Sequence, residues 1–313
     1  VEKTHTRQPT VVVPFDLECR SEHCNDIFIY LRPETNGIEV ESVMMRTLSR
    51  SAKYHDRVRL VYLANLPGDF IDAHHIIEEH YRLKLAFTKQ GKKLFTPYMQ
   101  REFSRYFQVP FEEARILGGY EAMKQLRYSR EQLFRLWVPQ RDIFHINGQT
   151  IKKTGDIYII NYDIPAILRK NSRATDIAAM VLRTSLPFGE MAEMITDITD
   201  ALRTEGILDE QEAFSRVFHY SKGPFEQILD AIGFLYRSNG SHIPIDTVNF
   251  YRFLRGKGLS DYEIRQILHY PIMSFSNYRK PYYEETIYAA TYGCDYESAY
   301  QILCKARGQV ILQ

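Results

Sequence analysis

No stretch of this sequence approaches the ~18 consecutive apolar residues of a helical membrane span. Its first residues, VEKTHTRQ, lack the apolar h-region of a secretory signal. A membrane partner is therefore not expected. Cysteine is scarce as well. Four in 313 residues, Cys19, Cys24, Cys294 and Cys304, are too few for a secreted disulfide scaffold and predict reduced thiols in a cytoplasmic protein. Charge of one sign is also missing. The 40 Lys and Arg residues stand against 39 Asp and Glu, which excludes a broad basic field for non-specific nucleic-acid binding. The phosphate-binding patterns G-x-x-x-x-G-K-[ST] and G-x-G-x-x-G are absent, as is the nucleophile elbow G-x-S-x-G. No cofactor is indicated, and none is expected.

What the chain has in quantity is aromatic residues, 22 Tyr and 18 Phe against the single Trp137, enough to furnish a large core. Its patterning predicts an α+β fold in two domains, a mixed strand and helix domain over 1–170 and an all-helical domain over 171–313. Asn36-Gly37 between two apolar runs reads as a hairpin turn, with strands over DIFIYL and IEVESV. RVRLVYL, Arg57 to Leu63, alternates as a strand and ends in a Pro-Gly turn. A helix through about Leu85 follows it. Ser129 and Gln132 form a capping box before another helix. DIFHINGQTIKKTGDIYIINY then reads as three strands joined by Asn147-Gly148 and Thr154-Gly155-Asp156, a β-meander with Lys152 and Lys153 on a solvated end.

Beyond Pro165 the apolar positions recur at helical spacing, as at Ile177, Met180 and Val181. Two echoes appear in this half. Leu202-Arg203-x-x-Gly206-Ile207-x-Asp209 resembles Leu254-Arg255-x-x-Gly258-Leu259-x-Asp261, and Asp261-Tyr262-Glu263 resembles Asp295-Tyr296-Glu297. Both describe a helix ending at glycine before a capped second helix. The aromatic residues Phe250, Tyr251, Phe253, Tyr278, Tyr282 and Tyr283 in these hairpins predict a protein-binding surface. The leading expectation is therefore a non-catalytic interaction or regulatory protein.

Three constellations carry other chemistry. GLSDYEIRQILHYPIMSFSNYRK, Gly258 to Lys280, resembles the helix-turn-helix of bacterial transcription regulators through Gly258, Leu259, Ser260, Glu263, Ile264, Ile267 and Leu268. That resemblance implies a recognition helix over 272–280, with Ser274, Ser276, Asn277, Arg279 and Lys280 meeting nucleic acid. On a helix, His74 and Glu78, like His75 and Glu79, would share a face at i, i+4 spacing and would suit a metal. Cys19, His23 and Cys24 offer a second set of soft ligands.

The third is His145. RDIFHING, Arg141 to Gly148, resembles the catalytic-histidine segment of nucleoside diphosphate kinases, and RLVYLANLPGD, Arg59 to Asp69, resembles their first strand and the turn after it. The chain departs from that family at Leu66, where a lysine is expected, and at Ile146, where a small hydroxyl residue is expected. The resemblance implies that His145 transfers a phosphoryl group. Strand alternation alone places His145 on a polar or half-buried hairpin face.

Overall fold

The computed structural model describes residues 6–18, 24–170 and 174–312. The chain forms two compact units. One contains residues 1–76, 171–265 and 291–301; the other contains 77–170, 266–290 and 302–313. The units cut across a division at residue 170, because each draws strands or helices from both halves of the sequence.

The first unit is built on a five-stranded antiparallel sheet in the order Thr10–Val13, Val58–Leu66, Ile177–Thr184, Asn25–Leu31, Phe218–Tyr220. Asn25–Leu31 and Val58–Leu66 run in the same direction on either side of Ile177–Thr184, and helix Ile38–Arg50 connects them. Likewise Ile177–Thr184 and Phe218–Tyr220 flank Asn25–Leu31 and are connected through helix Phe188–Thr204. These are two interlocked split β-α-β units, the β-α-β-β-α-β arrangement. Both helices lie on one face. There Val40, Val43, Met44 and Leu48 join Met194, Ile195, Ile198 and Leu202 over Ile27, Ile29, Met180 and Leu182.

The opposite face is covered by helices Pro224–Phe234 and Asn249–Gly256. Tyr62 ties this layer down: its hydroxyl donates to the Tyr236 carbonyl at 2.9 Å and accepts from the Tyr236 N–H at 3.0 Å. A sheet covered on both faces needs apolar residues at every position, and all eight residues of Ile177–Thr184 are buried. That continuous run carries no alternation, which is why the sequence reads there as helix. The strands Ile177–Thr184, Phe218–Tyr220, Ile272–Phe275 and Tyr283–Thr286 correct the expectation of an all-helical C-terminal half. The α+β class stands.

Asn36-Gly37 is not a hairpin turn. Helix Ile38–Arg50 begins directly after it, and its buried positions follow a 3–4 residue spacing.

The second unit holds a four-stranded sheet in the order Arg115–Gly118, Ile157–Ile160, Gln149–Thr154, Ile143–Ile146. Its last three strands are the β-meander, paired antiparallel through Asn147-Gly148 and Gly155. Asn147 and Gly148 both have positive φ, 47° and 74°, as a tight hairpin turn requires. Phe95, Phe103, Phe111 and Tyr158 form its aromatic core. A second small sheet pairs Ile272–Phe275 with Tyr283–Thr286 and Gly308–Gln309. Lys152 is buried rather than solvated: its Nζ donates to the Leu136 carbonyl at 2.5 Å and lies 3.6 Å from the Tyr162 ring centre. Among the described residues, no helix is long and apolar enough to cross a membrane.

Candidate active site

The β-α-β-β-α-β sheet of the first unit sets its edge strand Phe218–Tyr220 beside Asn25–Leu31, with His219 directly opposite Tyr30. Strand alternation sends Phe218 into the core beneath the two long helices and turns His219 to the other face. There the imidazole stacks on the Tyr30 ring, with centroids 4.5 Å apart, and Tyr30 stacks in turn on Phe234.

The chain then turns at Gly223 into helix Pro224–Phe234. A Cβ at Gly223 would lie 2.5 Å from the Thr291 carbonyl oxygen, so only glycine fits this approach. Pro224 at the first helical position fixes the helix start. This helix is apolar except for a few positions. Two of them, Glu226 and Asp230, are four residues apart and share the face turned toward His219.

Asp230 is buried, and its Oδ2 lies 3.3 Å from His219 Nε2. A carboxylate there holds the imidazole proton on Nε2 and orients the ring. The His219 side chain is 17% exposed. Burial pushes its pKa down to about 3, with Glu226 pulling upward and Arg32 and Lys222 adding to the fall. The imidazole is therefore neutral across the physiological range. Burial also raises the Glu226 carboxyl pKa, as does the charge of Asp230, while His219 opposes them. Arg32 sits over the Tyr30 ring at 5.6 Å and donates through Nε to the Ser215 carbonyl. The result is an oriented neutral imidazole, two nearby carboxyl groups and two nearby cations.

His145 lies elsewhere, on strand Ile143–Ile146 of the second unit. It is exposed, and its Nδ1 meets the Thr150 hydroxyl at 3.2 Å. Partial burial and the charge of Lys84 lower its pKa. The two segments that resemble nucleoside diphosphate kinases thus fall in different units. Arg59 to Asp69 supplies strand Val58–Leu66 of the sheet that carries His219, and His145 does not belong to that sheet.

The metal reading at His74 and His75 fails on backbone geometry. Helix Gly68–Ala73 stops at His74, and His75 has φ 51°, so His74/Glu78 and His75/Glu79 do not share a helical face. His74 Nδ1 meets the Phe70 carbonyl at 3.0 Å, and its ring stacks on Phe70 at 4.1 Å. Glu78 and Glu79 belong to the separate short helix Ile76–His80. Cys19 and His23 lie outside the described residues. Cys24 is disulfide-bonded, which departs from the expectation of four reduced thiols, while Cys294 and Cys304 are free.

The recognition helix is absent. Ser260 and Glu263 do form a capping box on helix Asp261–His269, but Ile272–Phe275, which includes Ser274, is a strand. Asn277 closes a turn, its Oδ1 accepting from the Arg279 and Lys280 N–H groups at 3.0 and 2.8 Å. Ser276, Asn277, Arg279 and Lys280 lie in the loop between two antiparallel strands rather than along a groove-reading helix. Pairing of Ile272–Phe275 with Tyr283–Thr286 fixes the segment as strand, and Pro281 would in any case end a helix by residue 280. Of the aromatic residues expected to form a surface, Phe250 and Tyr251 are buried, whereas Tyr278 and Tyr282 are exposed.

Sequence reasoning overlooked His219. The available signal was the pair of acids, Glu226 and Asp230, on the apolar helix that follows a histidine within a short strand. No family model, curated protein or solved structure matches the chain.

Proposed function

We propose that the first unit is a phosphotransfer module in which His219 accepts and passes on a phosphoryl group. The observation that carries this reading is the His219–Asp230 pair, a neutral, stacked imidazole with Nε2 held 3.3 Å from a buried carboxylate. In that state the proton sits on Nε2 and the lone pair on Nδ1. Attack falls to Nδ1, in exchange for its resting contacts. Its lone pair forms the N–P bond while the bond from phosphorus to the leaving oxygen breaks, and that oxygen keeps the electron pair. Asp230 stabilises the positive charge that develops on the ring. Arg32 and Lys222, the two cations acting on His219, would offset the charge of the phosphoryl oxygens.

The test incubates the protein with phosphoramidate, or with ATP and Mg²⁺, and follows acid-labile phosphohistidine by ³¹P NMR. Label is expected in wild type and in His145→Asn, and none in His219→Asn. Asp230→Asn should slow the reaction roughly 10²-fold or more. Label that persists in His219→Asn, or no label from either donor, would overturn the proposal.

A second reading, a role in binding a protein partner, draws on Trp137 and Tyr278, which are 81% and 88% exposed. Large exposed aromatic residues are enriched at interfaces. A cross-linking partner lost in Trp137→Ala and Tyr278→Ala would support it, and unchanged capture by both variants would remove it.

A further inference from the structure

The second unit contains a cavity of about 170 Å³ that the preceding chemistry does not use. Its apolar lining includes Leu83, Ala86, Ile272 and Val310, and one side of its wall is Arg82 and His269. Arg82 is half-buried. Its guanidinium donates to the His269 ring at 2.7 Å and to the His269 carbonyl at 2.8 Å. Among the described residues it forms no ion pair with a carboxylate.

A half-buried guanidinium whose hydrogen-bond acceptors are all neutral has no carboxylate in direct contact among the described residues. Burial and the charge of Arg82 lower the His269 pKa against the opposing charge of Glu79, so the imidazole accepts from Arg82 without becoming a second cation. Size narrows the ligand. An apolar cavity of about 150 Å³ holds one benzene ring, so this one admits a single six-membered ring with a small substituent. Charge narrows it further, because the planar fork of arginine matches a carboxylate.

We propose that this cavity binds a small monocarboxylate bearing one ring, with the ring against Leu83, Ala86 and Ile272 and the carboxylate on Arg82. On binding, the guanidinium exchanges the neutral imidazole of His269 for a charged acceptor. The site rests on none of the reasoning about His219.

Benzoate, titrated into the full chain, tests it, with benzyl alcohol as the uncharged probe and the methyl resonances of Leu83 and Ile272 as the readout. Benzoate should shift these signals saturably. Arg82→Met should weaken benzoate by about tenfold or more, as expected for loss of a charge-assisted hydrogen bond, and leave benzyl alcohol within about twofold. Ala86→Phe should fill the cavity and abolish binding of both. If Arg82→Met does not fold, Arg82→Lys keeps the charge, loses the fork and should still weaken benzoate selectively. No saturable shift with millimolar benzoate, or equal benzoate affinity in wild type and the folded Arg82 variant, would overturn the assignment.

Discussion

Arg183→Met should be among the most damaging single substitutions in the first unit. Asp26 and Arg183 face each other across neighbouring strands, and both are buried. Arg183 Nε reaches Asp26 Oδ1 at 2.7 Å and Nη2 reaches Oδ2 at 3.3 Å, a bidentate pair. Nη1 donates to the Asp16 and Glu18 carbonyls, each at 2.8 Å. Methionine approximates the arginine stem, so the chief loss is electrostatic. A fully buried carboxylate is left without its cation, which costs about 3–5 kcal/mol. Burial already raises the Asp26 pKa against the pull of Arg183, so removing the guanidinium drives Asp26 further toward its protonated form. Replacing both partners, Asp26→Leu with Arg183→Met, removes the buried charge and should fall within about 1–2 kcal/mol of wild type.

Hydrogen exchange on peptides covering Asn25–Leu31 and Ile177–Thr184 is the suitable assay. It reports on this sheet directly, whereas the single tryptophan lies in the other unit. A loss of 3–5 kcal/mol should accelerate exchange of the slowest amides by roughly 10² to 10³-fold or more. An Arg183→Met protein that exchanges within fivefold of wild type would refute the reasoning. So would a double variant as unstable as the single one.

His219 should give the first unit an acid-sensitive stability. Its folded pKa, about 3, lies below the ordinary value of 6.5, so the unfolded chain binds more protons between those values and stability falls as pH drops below 6.5. At pH 4.5 the loss relative to pH 7 should approach about 2–3 kcal/mol; His219→Gln should remove that part of the slope in urea titrations at the two pH values. Gly223→Ala should cost about 1–3 kcal/mol, because its Cβ meets the Thr291 carbonyl. Gly189→Ala, in open space within helix Phe188–Thr204, should instead leave stability unchanged or raise it by up to about 1 kcal/mol; opposite signs in thermal unfolding would contradict the packing argument. Ser129→Ala removes the hydroxyl that accepts the Gln132 N–H at 3.1 Å and should cost about 1 kcal/mol in the second unit, read by Trp137 fluorescence.

Local signals in this sequence translate well into structure. The meander, with Asn147 and Gly148 at positive φ, is written in turn chemistry that depends on no distant residue. The capping boxes at Ser129 and Ser260 form as their spacing requires. The longer echo has a physical meaning too: Ile207 N–H bonds to Leu202 O and Leu259 N–H to Leu254 O, the same helix-terminating bond after Gly206 and Gly258.

What sequence pattern alone does not convey is burial from both sides. Ile177–Thr184 is apolar at nearly every position because helices cover both faces of its sheet, and that erases the period that separates strand from helix. Asn36-Gly37 misleads in the opposite way, since Gly37 is extended at φ 167° and leads into a helix whose burial pattern begins at Val40. The candidate site is harder still. His219 acquires its neighbours Tyr30 and Asp230 from a strand far upstream and a helix just downstream, and only the second of these is readable as an acid pair in an apolar run.

The split sheet also sets a schedule for synthesis. Asp26 and its partner Arg183 are 157 positions apart in the chain. At roughly 5–20 residues per second, strand Asn25–Leu31 leaves the ribosome about 8–30 seconds before the strand that pairs with it. Its apolar residues must wait unpaired for that interval, with Phe28, Ile29 and Tyr30 facing solvent or a chaperone. Folding of the first unit should therefore be paced by translation of the residues between the two strands, and shortening that stretch should hasten closure of the sheet.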